Sequence, residues 1–205
     1  MFEIVHKEHF SENVVRLDVK APMIARARKP GHFVIVRCGE KGERIPLTIA
    51  DADVAKGIIT LVIQAVGVST RKICALEPGD CLTDVVGPLG RATDIKKRGT
   101  VVCCGGGVGV APLLPIIKAM KEAGNRVVSV LAARTKDLII LEDQVRSYSD
   151  EVIIMTDDGS YGTKGLVTNG VEQVIQREKV DEVVTIGPAV MMKFVAKLTR
   201  EYNVP

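Results

Sequence analysis

Four glycines within five residues form the stretch of the chain that could most readily do chemistry. They follow the short apolar run Val101–Cys104 and are Gly105, Gly106, Gly107 and Gly109. After them, apolar residues recur with the i, i+3, i+4, i+7 spacing of one helix face, at Leu113, Ile116, Ile117 and Met120. A strand, a glycine turn and a helix N-terminus in this order can bind a phosphate group, because free amides and the helix dipole attract negative charge.

The segment from Gly107 to Pro112 favours a dinucleotide as the phosphate ligand. It resembles the glycine fingerprint of dinucleotide-binding folds, with proline in the last position. A P-loop is not expected, since no Gly-Lys-Ser/Thr follows the glycines. The structural alternative is a tight turn that binds nothing. Pro112 and Pro115 are both expected in the first helical turn, where a proline forfeits only an amide that lacks an intrahelical acceptor.

A second candidate anion site lies in the first half of the chain. Gly67 precedes the only helical segment expected there, 69–76, whose N-cap candidates are Ser69 and Thr70. In the strand 44–50, Pro46 stands near the start, which predicts an edge or a gap in the sheet where a ligand could replace a strand neighbour. Ordinary sheet structure is the alternative explanation for both segments.

The composition excludes several classes of protein. The chain has 205 residues, 46% of them hydrophobic, and 28 Lys+Arg against 25 Asp+Glu give a net charge of +3. Nearly balanced charge argues against nucleic-acid or membrane binding, and 3% aromatic content argues against a base-stacking surface. No apolar run approaches the length of a membrane span and no signal-peptide pattern is present, so we expect a cytoplasmic protein.

The cysteines predict neither disulfides nor a metal site. They are odd in number and show no C-x-x-C spacing, which is typical of reduced thiols; they are Cys38, Cys74, Cys81, Cys103 and Cys104. An iron–sulfur cluster needs several thiolate ligands brought together locally, whereas these residues are scattered. We therefore expect structural cysteines, no metal ion and no cluster in this chain.

The pattern of apolar residues changes near 96–99, which predicts two domains, 1–95 and 96–205. In the first, short alternating segments such as Val14–Val19, Phe33–Arg37 and Ile58–Gln64 predict a small antiparallel β-barrel. In the second, apolar segments alternate with helical ones, which predicts an α/β fold with a doubly wound parallel sheet. Its strands are expected at Thr100–Cys104, Arg126–Ala133, Glu151–Thr156 and Glu182–Gly187.

Polar or glycine-rich segments follow three of these parallel strands. Thr156–Gly162 and Thr185–Pro188 leave their strands at the carboxyl edge, where open α/β sheets bind ligands. The second strand ends where the adenosine ribose of a dinucleotide is normally bound, and an acid there would accept a hydrogen bond from the 2′-hydroxyl. Arg134 and Lys136 stand in that place, with Asp137 beyond them.

In their order along the chain, these motifs resemble the ferredoxin-NADP⁺ reductase superfamily over essentially its whole length. They are the Arg44-x-Pro-x-Thr48 strand, the Gly67-x-Ser69 helix start, Gly87-Pro-Leu-Gly90, the glycine turn and Gly187-Pro188. Within the superfamily, residues 44–51, 132–138 and 156–162 are most similar to the small (alpha) subunits of NADH-dependent reduced ferredoxin:NADP⁺ oxidoreductase. The electron-transfer subunits of dihydroorotate dehydrogenase are the nearest alternative.

The resemblance implies that the barrel binds FAD and that the α/β domain binds NAD(P)H. The residues implied for FAD are Arg44, Pro46, Leu47, Thr48, Ile49, Gly67, Ser69 and Thr70. Those implied for NAD(P) are Gly105, Gly106, Gly107, Gly109, Pro112, Arg134, Asp157, Gly187 and Pro188. No side chain is expected as a catalytic acid or base, because flavin and nicotinamide react with each other.

Several positions depart from the family pattern. Arg44 stands one residue before the usual flavin-phosphate arginine, whose position is held by Ile45. Leu47 replaces a tyrosine that often stacks on the flavin, and Ile186 replaces a cysteine near the hydride path. The family also continues past the point that corresponds to Pro205, with cysteines that hold a 2Fe-2S cluster. We expect the cluster only in such a C-terminal segment. The chain is accordingly expected to be a truncated form of a longer family member.

The resemblance predicts an oxidoreductase that passes a hydride between NAD(P)H and FAD and then single electrons to a partner. The expected partner is a larger flavoprotein or iron–sulfur subunit in a heterodimer, with ferredoxin as a further candidate. NADH is the expected nucleotide, since Asp137 can compensate the neighbouring cations. The alternatives are the electron-transfer subunit of dihydroorotate dehydrogenase and a module that binds NAD(H) without flavin.

Overall fold

The computed structural model describes all 205 residues, which form two compact units, Met1–Thr93 and Asp94–Pro205. Each unit contains one sheet and its own buried core. The strands of the first sheet are antiparallel and those of the second are parallel.

The first unit is a seven-stranded antiparallel sheet that closes almost into a barrel. Its strands are β1 (Phe2–Ser11), β2 (Val14–Lys20), β3 (Phe33–Arg37), β4 (Ile45–Asp53), β5 (Ile58–Gln64), β6 (Cys81–Leu82) and β7 (Asp84–Leu89). Their order is β6-β1-β2-β5-β4-β3-β7, and two short helices, α1 (Pro22–Ala27) and α2 (Val68–Cys74), complete the unit. Alternate side chains of β2 and β5, such as Leu17 and Leu61, fill the core, as the sequence pattern predicted.

Helix α1 corrects the expectation of a single helix in this half of the chain. Pro22 occupies its first position, where the fixed φ suits a helix and the missing amide costs no bond. Ile24 and Ala25 are buried in the barrel core. Six residues are too few to show a helical period, so packing rather than sequence pattern reveals this helix.

Strand β4 changes neighbours part-way along its length. Its residues Ile45–Thr48 pair with β3, whereas Ile49–Asp53 pair with β5, and the register shifts between Ile49 and Asp51. Residues 45–48 therefore have a strand on one side only. The gap that Pro46 predicted in the sheet is confirmed.

The second unit is a five-stranded parallel sheet with helices. Its elements are β8 (Thr100–Gly106), α3 (Val110–Glu122), β9 (Arg126–Ala133), α4 (Glu142–Ser147), β10 (Glu151–Thr156), β11 (Thr163–Lys164), α5 (Val167–Arg177), β12 (Glu182–Ile186) and α6 (Ala189–Glu201). The strand order is β11-β10-β9-β8-β12. From β8 the chain builds outward through β9 and β10, and then returns to place β12 on the other side of β8. The crevice between the carboxyl ends of β8 and β12 is thus a topological switch point, the usual ligand site of such sheets.

Helix α3 has the predicted apolar face, since Leu113, Ile117 and Met120 are fully buried. Pro112 lies in its first turn, as expected. Pro115 does not, because α3 begins at Val110 and Pro115 falls inside the helix. There it removes a hydrogen bond that an amide would otherwise donate to the carbonyl one turn earlier.

Candidate functional site

A single 3₁₀ turn, Gly107–Gly109, joins the end of β8 to the start of α3. Gly107 has φ of +53°, a left-handed conformation that favours glycine, and no atom lies within 4 Å of where its Cβ would be. The backbone of Gly107 is therefore open to a ligand at the N-terminal end of α3. The order of strand, glycine turn and helix that the sequence predicted is therefore present.

Gly105 and Gly106 have a different role, because packing within the unit already requires them. A Cβ on Gly105 would lie 2.9 Å from Val110 Cγ2, on the helix that follows. A Cβ on Gly106 would collide with the Met191 sulfur. Both residues are buried, so they allow α3 and α6 to approach β8 closely.

Gly109 brings the last strand to the glycine turn. A Cβ on Gly109 would lie 2.5 Å from the Ile186 carbonyl oxygen and 2.8 Å from Gly187 Cα, both backbone atoms. Pro188 follows at the start of α6, and Pro112 is half-buried on α3. The structure thus places the predicted Gly187-Pro188 segment directly beside the turn, at the switch point between β8 and β12.

Arg134 and Asp157 lie farther along the same edge, at the ends of β9 and β10, and both are exposed. The Asp157 amide donates a hydrogen bond to the Ala133 carbonyl (3.1 Å), and the Asp158 amide donates one to the Arg134 carbonyl (3.3 Å). These bonds join the segment that follows β9 to the segment that follows β10. The Arg134 guanidinium has no ion-pair partner, so its charge is available to a ligand.

Contacts between Lys136 and the segment Thr156–Gly162, which the sequence analysis named separately, fix this edge further. The Lys136 amide donates to Ser160 Oγ (2.9 Å), and Ser160 Oγ donates to Asp158 Oδ1 (2.7 Å). The latter bond holds the pKa of Asp158 below its usual range. Lys136 Nζ lies 5.5 Å from the Tyr161 ring centroid, within cation–π distance. Of the two cations predicted here, Lys136 is therefore engaged and Arg134 is free.

In the barrel unit, the one-sided part of β4 carries three predicted FAD residues, and Ile49 follows directly after it. Pro46 is exposed and Thr48 is partly exposed beside the gap, whereas the partly exposed Leu47 side chain also packs against the barrel core. Ile49 is different: its side chain is 1% exposed and packs in the core, which leaves only its backbone for a ligand.

Arg44 is accessible but already interacts with a carboxylate. Its guanidinium lies 3.6 Å from Asp84 Oδ2, which also accepts a 2.6 Å hydrogen bond from Arg37 Nε. The Arg44 side chain is 63% exposed, so this ion pair is weak and does not prevent a contact with phosphate.

The N-terminus of α2 is the third predicted element of the flavin unit. Gly67 is its N-cap and has extended backbone, with no side chain to satisfy the amides of the first turn. Thr70 Oγ1 accepts a 2.9 Å hydrogen bond from the Gly67 amide, which leaves the amides of the helix itself uncovered. The nearest atom to a Cβ on Gly67 would be 4.0 Å away. Free amides and open space suit a pyrophosphate.

A cavity of about 200 Å³ lies beside this helix N-terminus. Its polar lining consists of Ser69, Glu43, Lys41 and Lys72. Ser69 Oγ donates a hydrogen bond to Glu43 Oε2. The sequence analysis identified Ser69 only, because its three neighbours show no spacing that relates them to the helix.

The cysteines are free and mostly buried. Cys103 and Cys104 are fully buried in β8, and burial raises the pKa of Cys104 to about 11 and that of Cys103 further. Both therefore remain protonated thiols in the core near neutral pH.

No group of three or more His, Cys, Asp or Glu side chains is placed to hold a metal ion. None of the helices has the length and apolarity needed to cross a bilayer.

Comparison with known proteins relates the whole chain to one group. The family model described as the oxidoreductase NAD-binding domain matches residues 103–197. A Thermotoga maritima protein, the dihydroorotate dehydrogenase B (NAD(+)) electron transfer subunit homolog, is 44% identical over 203 residues, which cover 99% of this chain and 72% of the relative. The corresponding electron transfer subunit of Desulforamulus reducens is 34% identical and covers 94% of this chain and 75% of the relative.

The chain belongs to the electron-transfer-subunit branch of the ferredoxin-NADP⁺ reductase superfamily.

Solved structures of the superfamily agree with this assignment. A chain from the NADH-dependent reduced ferredoxin-NADP oxidoreductase, determined in a study of flavin-based electron bifurcation, superposes with a TM-score of 0.94 at 42% identity. The match covers 100% of this chain and 74% of the other. A ferredoxin reductase of carbazole 1,9a-dioxygenase shares the fold at 17% identity, with a TM-score of 0.83. The predicted fold class, the electron-transfer function and the cofactors FAD and NAD(P)H are confirmed at the level of the superfamily.

Proposed function

We propose that this protein is the flavoprotein subunit through which a larger complex exchanges electrons with NAD(P)H. The observation that carries the proposal is Gly107, whose left-handed backbone opens into free space at the switch point of the parallel sheet. Three neighbouring glycines are explained by packing, whereas nothing inside the unit fills the space above Gly107. That space is where a dinucleotide pyrophosphate would lie.

In the nucleotide unit, we assign the pyrophosphate to the backbone of Gly107 and the N-terminus of α3. Gly187 and Pro188, which border the same crevice, would position the nicotinamide end. Arg134 and Asp157 would contact the adenosine ribose, because they lie at the ends of the next two strands. All of these contacts bind and orient the nucleotide, and none requires a proton transfer by a side chain.

In the flavin unit, Pro46, Leu47 and Thr48 would line the isoalloxazine along the one-sided part of β4. The uncapped amides at Gly67 and the hydroxyl of Ser69 would receive the pyrophosphate. Bound FAD supplies the redox chemistry, since it exchanges a hydride with nicotinamide and single electrons with one-electron partners. The protein contributes orientation and charge.

The flavin and nucleotide assignments can be tested on the purified protein. Reconstitution with FAD should give a yellow protein with the flavin band at roughly 450 nm, and anaerobic addition of NADH should bleach that band. A protein that binds NADH but retains no flavin would instead be the non-catalytic nucleotide-binding module. A flavoprotein that neither NADH nor NADPH reduces would contradict the proposal.

The partner is proposed to be a larger catalytic subunit that contains flavin or iron–sulfur centres, with ferredoxin as a further acceptor. The relatives support this at a coarse level, because they are themselves named electron transfer subunits. The same names favour a dihydroorotate-oxidising subunit as the second candidate. Co-purification followed by assay of NADH formation from dihydroorotate, and of ferredoxin reduction, distinguishes the two partners.

A further inference from the structure

Two connections at the carboxyl edge of the parallel sheet carry the residues that we assigned to the adenosine ribose. The β9 connection (residues 134–141) contains Arg134, and the β10 connection (residues 157–162) contains Asp157. Both residues are exposed, so core packing does not fix the distance between them. They can hold one ribose together only if contacts between the two connections keep that distance constant.

Close to the strands, backbone hydrogen bonds supply such contacts. The Asp157 amide donates to the Ala133 carbonyl at 3.1 Å, and the Asp158 amide donates to the Arg134 carbonyl at 3.3 Å. The second bond is longer than the usual N–O distance of about 2.9–3.0 Å. The backbone bonds therefore weaken as the two connections leave the sheet.

Farther from the strands, the hydroxyl group of Ser160 joins the same two connections. Ser160 Oγ accepts a 2.9 Å hydrogen bond from the Lys136 amide in the β9 connection. It donates a 2.7 Å bond to Asp158 Oδ1 in the β10 connection, and the Ser160 amide donates to the same oxygen at 2.9 Å. A carboxylate acceptor makes these last two bonds stronger than bonds between neutral groups. One hydroxyl thus bridges the two connections, and the Asp158 carboxylate holds it in place.

The other polar contacts of the β10 connection do not replace this bridge. Buried Thr156 Oγ1 donates to the Tyr161 carbonyl at 2.7 Å, and the Tyr161 hydroxyl donates to Glu142 Oε1 at 2.9 Å. These bonds hold the connection to its own strand and to α4. Lys136 Nζ also lies over the Tyr161 ring, but that contact involves the end of a flexible side chain and not the backbone.

We propose that Ser160 is a positioning residue for the adenosine half of the nucleotide: its hydroxyl fixes the two connections, and with them the separation of Arg134 and Asp157. The inference rests on the proposed nucleotide site and deepens it, because it names a residue that prepares the site through its neighbours. Connections that are already fixed avoid the entropy cost of ordering them when the ligand binds. NADH should therefore bind more weakly when the bridge is absent.

The test is anaerobic stopped-flow reduction of the flavoprotein by two donors, NADH and reduced nicotinamide mononucleotide, which lacks the adenosine half. Ser160→Ala removes the bridge, and Ser160→Thr keeps a hydroxyl at the same position. Ser147→Ala is the matched control, since Ser147 Oγ also donates a short hydrogen bond, to the Asp143 carbonyl at 2.8 Å, but within α4.

We expect Ser160→Ala to raise the half-saturating concentration of NADH about three- to tenfold, the effect of one lost hydrogen bond. The limiting rate of flavin reduction should stay the same, because the nicotinamide end is bound elsewhere. Ser160→Thr and Ser147→Ala should keep the parent values. The mononucleotide should reduce all four proteins with the same second-order rate constant, because it has no adenosine for the two connections to hold.

An unchanged half-saturating concentration in Ser160→Ala would overturn the inference, while reduction of the parent protein by NADH would keep the proposed function intact. A lower limiting rate, an equal loss with the mononucleotide, or a Ser160→Thr variant as weak as Ser160→Ala would also overturn it. In each of these cases the hydroxyl would not act through the adenosine half. Failure of both NADH and NADPH to reduce the parent flavoprotein would overturn the inference and the proposed function together.

Discussion

The two glycine-led helix starts of this protein differ in what holds them in shape. In the parallel unit, Gly105, Gly106 and Gly109 are required because strands and helices approach to within contact distance of their Cα atoms. In the barrel unit, Gly67 has open space around it and an ordinary extended backbone. Glycine in the first case is a packing requirement with one exception, Gly107, and in the second it stands at a helix cap with open space around it. Substitutions at these positions should therefore separate stability from binding.

The largest effect is expected from Gly109→Ala. The new Cβ would lie 2.5 Å from the Ile186 carbonyl oxygen and 2.8 Å from Gly187 Cα, and backbone atoms cannot rotate away. We expect the free energy of unfolding of the parallel unit to fall by about 2–4 kcal/mol. Urea unfolding followed by circular dichroism measures this. Gly67→Ala is the control and should cost only about 0.5–1 kcal/mol, the difference between glycine and alanine at an N-cap; similar losses in both variants would contradict the comparison.

Gly107→Val should damage function more than stability. The new Cβ would have no neighbouring atom within 4 Å, so the main folding cost is that of the left-handed φ, roughly 1–2 kcal/mol. It would fill the space assigned to the pyrophosphate and misplace the nicotinamide. We expect NADH-driven reduction of bound flavin to slow about 100-fold or more, as measured by anaerobic stopped flow, while FAD content stays normal. Loss of flavin with unchanged reduction of the remaining flavoprotein would contradict the assignment.

Periodicity was sufficient to predict most of the strands. Phe33–Arg37, Ile58–Gln64, Arg126–Ala133 and Glu151–Thr156 were predicted with the bounds that the structure shows. Alternation and buried runs are local properties, and the packing of each sheet reinforces them. The glycine turn could be predicted for the same reason, since strand, turn and helix are contiguous.

Other features depend on contacts between distant residues and left no pattern in the sequence. The Glu43–Ser69 contact joins a connection to a helix start, and no spacing rule relates the two. The burial of Ile49 depends on how β4 passes from β3 to β5, which cannot be deduced from β4 alone. Likewise, the four glycines look alike in sequence, and only the positions of Met191 and Ile186 distinguish those that pack from the one that is open.

The flavin side of the comparison is tested by replacing Thr48 and Ser69 together with leucine. Both side chains lie where FAD is assigned, one beside the gap in the sheet and one at the start of α2. Loss of hydrogen bonds to a charged ligand and the added bulk should weaken FAD binding about tenfold or more. The ratio of flavin absorbance to protein absorbance after gel filtration measures it. Ser147→Leu, an exposed helical position in the other unit, is the control; full flavin content in the double variant would contradict the site.

The smallest effect is expected from substitution of Arg134, which tests the preference for NADH or NADPH. Its guanidinium is exposed and free, so a pair with the 2′-phosphate of NADPH would be solvent-screened and contribute about 0.2–1 kcal/mol. Asp137 lies near Arg134 in sequence, and Asp157 lies along the same edge of the sheet. Their carboxylates would repel a 2′-phosphate, which favours NADH as the preferred donor. Arg134→Gln should therefore raise KM for NADPH only about two- to fivefold and leave KM for NADH unchanged. Arg200→Gln, an equally exposed arginine on α6, should change neither value. Strong preference of the parent protein for NADPH, lost on Arg134→Gln, would instead assign Arg134 as a dedicated 2′-phosphate ligand and reverse the nucleotide prediction.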